Sequence, residues 1–159
     1  MDAYKDVVEF HRKFGFHTST APTILDPVKM QERIKFLFEE LLELVDASGM
    51  SACAVQDDDT HVTEERFVPG QIALQVIGHQ NMALQADALV DLVYVALGTA
   101  AMMGLPWEAL WDDVHRANMA KVRGKTHRGN AEDVCKPAGW VGPQTTKILL
   151  DASVEVQHE

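Results

Sequence analysis

Cysteine is nearly absent. Cys53 and Cys135 are the only two, they lie far apart and they form no CxxC pair. That argues against a disulfide scaffold, a zinc knuckle or a redox motif, and a reduced cytosolic setting follows. Aromatic residues make up only 7%, which favours aliphatic helix packing over a sheet-rich domain. Positive charge is short: 14 Lys and Arg stand against 24 Asp and Glu, for a net charge of -10. A nucleic-acid binder needs a positive surface to displace counterions, so none is expected as a partner. One local basic stretch (Arg116, Lys121, Arg123, Lys125 and Arg128) suits a small polyphosphate better. No apolar run approaches the length of a membrane span. Met1 to Phe16 mixes charged and apolar residues and lacks a signal-peptide core. The expectation is a cytoplasmic protein with no membrane partner.

What is present is helical periodicity. The 159 residues suit one domain, 1–159. A first helix is predicted from Tyr4 to Phe14, with Gly15 as its stop. A second begins with Asp26 as N-cap and Pro27 in the first turn. It carries the stripe Met30, Ile34, Leu37, Phe38, Leu41, Leu42 and Val45, and ends at Ser48-Gly49. Residues 50–80 read as an insertion. Within it, Gln56 to Thr60 is a loop, Phe67 to Gly70 a turn, and alternating Ile72, Leu74 and Val76 a short strand or hairpin. A third helix runs from about Gln80 to Met103 and a fourth from Pro106 to about Val122. Beyond Arg123 the chain is expected to be mostly loop, with a short helix near Thr145 to Ala152.

The chemistry-bearing residues are carboxylates on these helices. Glu39-Glu40-Leu41-Leu42-Glu43 places acids three and four residues apart, on one face. Asp87-Ala88-Leu89-Val90-Asp91 places two more four apart. Like charges at these spacings repel, and aspartate is a poor helix-interior residue. Apolar neighbours surround both groups, so at least one glutamate is expected at the edge of the core, where an unpaired carboxylate is costly. A divalent cation removes that cost. A solvated acidic face explains either group alone, but two in one small domain favour metal. All-oxygen ligands select hard cations, Mg²⁺ first and Mn²⁺ as substitute.

These motifs resemble those of the MazG-like all-α nucleoside triphosphate pyrophosphohydrolases, in particular their single-domain phage and bacterial members. The family's EExxE motif is matched by Glu39 to Glu43. Its ExxD motif is matched at Asp91, with Ala88 in place of the first acid and Asp87 one residue earlier. Val114 to Val122 resembles its following helix, where an asparagine and a lysine reach substrate. Those positions are Asn118 and Lys121. Lys136-Pro137-Ala138-Gly139-Trp140 resembles a Lys-Pro stretch near the C-terminus of such proteins.

The resemblance implies an all-α fold: a four-helix bundle core with a long insertion between helices 2 and 3 and an irregular C-terminal tail. It implies hydrolysis of a nucleoside triphosphate to the monophosphate and pyrophosphate. It also implies homo-oligomers (dimers or dimer-based tetramers) with sites near subunit interfaces. Glu39, Glu40, Glu43, Asp87 and Asp91 are then the metal ligands. Glu39 is a further ligand or the base, and Glu39 and Glu40 form the catalytic pair. Asn118, Lys121, Lys136 and Trp140 bind substrate. dGTP or GTP is the first expectation, with dCTP or dUTP the pyrimidine alternative. The location is the cytoplasm, a host's if the protein is phage-encoded.

Other residues have plainer readings. Arg33 and Lys35 suit a solvated face or an ion pair as well as they suit substrate. Trp107 and Trp111 suit core or interface. Two other classes stay open. A carboxylate-bridged di-iron or di-manganese bundle needs Glu-x-x-His on two helices, and the nearest spacing is Asp112 to His115, alone. A non-enzymatic helical oligomerisation or binding module explains the apolar helices but not acids embedded in them.

Overall fold

The structure is a computed structural model that describes residues 2–54, 72–124 and 133–155. The loop expected at 56–60, the turn at 67–70, Lys125 and Arg128 lie outside the described residues. Among those described, the chain is mainly α, with five helices and few short strands, consistent with the all-α fold expected. It forms two compact units, one of Asp26–Thr99 and one of Met1–Leu25 with Ala100–Glu159.

The Asp26–Thr99 unit is built on a helical pair. Helix α2 (Pro27–Ala47) starts where Asp26 accepts from the backbone N–H groups of Val28 and Lys29, with Pro27 in the first turn. Gly49 follows at φ 65, a left-handed conformation that glycine adopts without strain. There the chain leaves as β1 (Met50–Ala54), which pairs antiparallel with β2 (Ile72–Val76) from Met50↔Val76 to Ala54↔Ile72. It comes back to its point of departure. Ile77 N and Gly78 N both donate to the Gly49 carbonyl, at 2.8 and 3.0 Å, and Asn81 N donates to Ala47 O at 2.8 Å. Asn81 then caps α3 (Met82–Met102) through bonds from Ala83 N and Leu84 N. The excursion expected at 50–80 therefore starts and ends beside the C-terminus of α2, and α3 begins there.

The second strand was legible from the alternation at 72–76. Its partner β1 was not, because Ser51 and Ala52 give no apolar alternation. The β2 alternation does not mark a buried face, since Ile72, Leu74 and Val76 are all exposed. The α2 stripe also differs from expectation: Ile34, Phe38, Leu41 and Leu42 are exposed, while the most buried residue of α2 is Ala47. On α3, Ala88 and Leu97 are buried, but Leu89, Val90 and Val93 are exposed.

The expectation that no segment reaches membrane-span length needs correction. α3 has 21 residues and contains an 18-residue stretch of mean hydropathy 1.3, enough by length and composition to cross a bilayer, though a core helix meets the same test. Asp87 and Asp91 interrupt its apolar runs. Each costs about 2.5–3.5 kcal/mol at a bilayer centre.

In the other unit, α1 (Ala3–Phe14) ends at Gly15, whose φ is 69. Val7 and His11 on α1 are buried with Leu25, Ala101 and Met102. The segment after α1 is strapped to the end of α3: Ser19 N donates to Ala101 O, Ser19 Oγ to Met102 O and Thr23 N to Met103 O. Tyr4 donates to Leu105 O, and its ring stacks on Trp107 at the start of α4 (Trp107–Met119). Trp107 is thus a packing residue, while Trp111 is exposed.

The C-terminal region is more regular than expected. β3 (Val122–Gly124) pairs antiparallel with β4 (Asp133–Cys135), and α5 (Thr145–Glu155) follows. Asp113 on α4 holds the approach to α5 by accepting from Gln144 N, and Arg116 donates to Gly142 O.

Candidate active site

The charges of the two acid motifs act together on Glu40. This residue is half-buried on α2, while Glu39, Glu43, Asp87 and Asp91 are exposed. Partial desolvation pushes the Glu40 carboxyl above its ordinary range, and the negative charges of Glu43, Asp91, Glu39 and Asp87 push it the same way. The two sequence motifs, on different helices, therefore share one electrostatic environment. Ala88 is 2% exposed, so the position where the resemblance puts an acid is a packing position here. The four-residue spacing of Asp87 and Asp91 keeps both carboxylates on one face. Among the described residues, no three His, Cys, Asp or Glu side chains converge closely enough to hold one ion.

The helices carrying these acids are pinned at two levels. Near the C-terminus of α2, Gln85 Nε2 donates to Ser48 Oγ at 3.0 Å. Toward its N-terminus, Arg33 Nε donates to Thr99 Oγ1 at 3.1 Å and Arg33 Nη2 to Val95 O at 2.9 Å. Glu40, Glu43, Asp87 and Asp91 lie between these levels in sequence. Neither plain reading of Arg33 holds. The side chain is half-buried rather than solvated, and it makes no ion pair among the described residues. Its spacing from Leu37 and Glu40 was the available signal, four and seven residues on, along one face of α2.

The four residues expected to bind substrate all lie in the other unit, and three of them meet. The Trp140 indole N–H donates to Ala117 O at 2.7 Å, tying the Lys136–Trp140 segment to the last turn of α4. Lys136 Nζ lies 4.6 Å and Lys121 Nζ 6.0 Å from the ring centroid. Both are cation–π geometries. Neither ammonium has a carboxylate partner among the described residues. Asn118 is exposed next to Ala117. His115 is exposed, and Arg116 is committed to Asp113 through Nη2 at 2.6 Å.

Chemically, one unit offers oxygen donors that share an excess of negative charge, and the other offers two ammonium groups gathered at one indole. The sequence profile of a family described as phosphoribosyl-ATP pyrophosphohydrolase matches residues 7–118, more than half of the chain. The chain belongs to that family. The phosphoribosyl-ATP pyrophosphohydrolase family lies within the MazG-like all-α nucleoside triphosphate pyrophosphohydrolases, so the resemblance read from the acid motifs holds at that level. The match spans both acid motifs and ends at Asn118, so Lys121, Lys136 and Trp140 lie beyond it. Membership supports pyrophosphohydrolase activity on a nucleotide-like substrate, which is hydrolysis of an acid anhydride. A comparison with curated proteins gives no match.

Proposed function

We propose that this phosphoribosyl-ATP pyrophosphohydrolase family member hydrolyses a nucleoside triphosphate between its α and β phosphates, giving the monophosphate and pyrophosphate. One observation carries the reading: a half-buried Glu40 that feels the charge of four further acids from two helices, in a chain of a pyrophosphohydrolase family. The donor set is all carboxylate, the chemistry a hard divalent cation takes, and positive charge would relieve its mutual repulsion; drawing three of these side chains onto one ion requires them to move from the positions described. Glu40, Glu43, Asp87 and Asp91 are the residues to hold Mg²⁺, or Mn²⁺ in its place. A cation held there neutralises charge on the phosphates and makes a water molecule more acidic. Glu39, exposed beside Glu40, takes the proton from the attacking water. Lys121 and Lys136 give point charges to phosphate oxygens. Asn118 bonds a sugar hydroxyl or phosphate, and Trp140 orders the two lysines.

The working form in this reading is a homo-oligomer, a dimer or a dimer-based tetramer. Its support is the apolar surface left exposed on α2 and α3, including Phe38, Leu42, Leu89 and Val90, a kind of surface that marks an interface. The cytoplasm is the proposed location, in keeping with the unpaired cysteines, and a single-domain phage or bacterial type is the proposed subtype.

The test is pyrophosphate release from a panel of NTPs and dNTPs with Mg²⁺, with Mn²⁺ and with chelator, alongside light scattering for mass. dGTP and GTP head the panel. dCTP and dUTP represent the pyrimidine alternative, and phosphoribosyl-ATP is included because the family's name carries it. Metal-dependent release from one of these supports the reading and names the substrate. No release by a folded oligomer would turn the assignment to a helical oligomerisation module.

A further inference from the structure

Arg33 is an unusual charge for its position. A guanidinium has five N–H donors, and two of them go to neutral oxygens, Thr99 Oγ1 and Val95 O. Val95 O also accepts from Thr99 Oγ1, at 3.0 Å. The Phe36 ring lies 5.4 Å from the guanidinium carbon. Three donors remain, and no carboxylate faces them among the described residues, although acids crowd the same two helices.

Seven residues separate Arg33 from Glu40, roughly 10 Å along the helix axis. Val95 and Thr99 likewise follow Asp91 by one and two turns on α3. The helix pair therefore carries carboxylates at one level and a fork of free N–H donors at another, along one line.

We infer that Arg33 binds the terminal phosphate of a triphosphate chain and makes the site discriminate triphosphates from shorter phosphate chains. This rests on the hydrolase reading, in which the bond that breaks lies over the carboxylates. The departing pyrophosphate must then extend away from them. A planar guanidinium matches phosphate oxygens bidentately and is never deprotonated. Its bonds to Val95 and Thr99 fix its direction before substrate arrives.

The experiment compares wild type, Arg33→Gln and Arg33→Lys. The readouts are KM and kcat for the preferred triphosphate, apparent affinity for the diphosphate of the same base, and calorimetric binding of inorganic tripolyphosphate and pyrophosphate with Mg²⁺. A charge-assisted bond of about 1.5–3 kcal/mol corresponds to roughly a ten- to hundredfold change. Arg33→Gln is expected to raise KM for the triphosphate by that factor and to change diphosphate affinity less than about threefold. Arg33→Lys, which keeps charge without the fork, falls between.

Equal loss for both chain lengths, or loss that tracks a lowered melting temperature in both variants, would make Arg33 a helix clamp only. If wild type turns over no nucleotide, the hydrolase reading fails separately and the inorganic ligands decide. Tighter binding of tripolyphosphate than pyrophosphate, abolished in Arg33→Gln, upholds the assignment, and equal binding overturns it.

Discussion

The indole N–H of Trp140 donates to the carbonyl of Ala117, and Asn118 is the next residue on α4. The bond satisfies a carbonyl in the last helical turn, where such groups lack helical partners. It also sets the ring beside Lys121 and Lys136. Trp140→Phe keeps an aromatic face and removes the donor. It is expected to lower stability by about 1 kcal/mol in urea unfolding. It should also raise KM more than it lowers kcat, because the lysines lose a fixed anchor. An unchanged KM would remove Trp140 from the substrate group.

Glu40 links pH to both stability and activity. Its folded pKa lies above the ordinary carboxylate value of about 4.3, so the native state holds this proton more tightly than the unfolded chain does. Its contribution therefore makes stability fall as pH rises from that ordinary value through the raised one, and return as pH falls. Glu40→Gln removes this dependence. At pH 7 without divalent cation it should melt higher than wild type, yet lose at least about 100-fold in kcat. Mg²⁺ should raise the melting temperature of wild type by binding the native state, and raise that of Glu40→Gln much less. A metal response equal in both proteins would remove Glu40 from the ligand set.

Glu39 and Glu43 separate by the same pair of measurements. Glu39→Gln, as loss of a base, is expected to lower kcat by about 10²–10⁴-fold while leaving the Mg²⁺-induced melting shift nearly intact. Glu43→Gln is expected to lose both. If Glu39→Gln also loses the shift, Glu39 is a ligand first.

Two glycines with similar φ should respond differently to alanine. At Gly49, φ 65, a Cβ would sit 2.6 Å from Gly78 O. Gly49→Ala has to move the backbone that starts α3. It is expected to cost about 1–3 kcal/mol for the left-handed residue, with further loss from the clash. Activity should fall with it, since Asp87 and Asp91 ride on α3. At Gly15, φ 69, nothing lies within 4 Å, so Gly15→Ala should cost the backbone term alone and leave kcat unchanged. Chemical denaturation and steady-state rates on both variants check the contrast.

Helix positions were readable because their signals are local. Asp26-Pro27 announces a start, and Ser48-Gly49 and Gly104 announce stops within one turn. The acid motif at Glu39 to Glu43 was readable for the same reason. What escaped was set by partners distant in sequence. Strand β1 exists because β2 pairs with it, and β3 with β4 lack enough residues to show alternation. Arg33 looked like a surface cation because Val95 and Thr99 are more than sixty residues away. Apolar periodicity correctly located α2 and α3, yet it could not say that Phe38 and Leu42 stay exposed in the single chain. Periodicity identifies a face to be covered and is silent on what covers it.

The closed loop of backbone at Gly49 makes chain length between α2 and α3 a free variable. Its bonds to Ile77 N and Gly78 N fix where α3 begins whatever lies beyond the β1–β2 ladder. The protein is thereby modular at that point. A reporter, an affinity tag or a relative's segment spliced beyond Ala54 and before Ile72 should leave the spacing of the acid helices as it is. Deletion of Ser48 or of Gly49 should shift it.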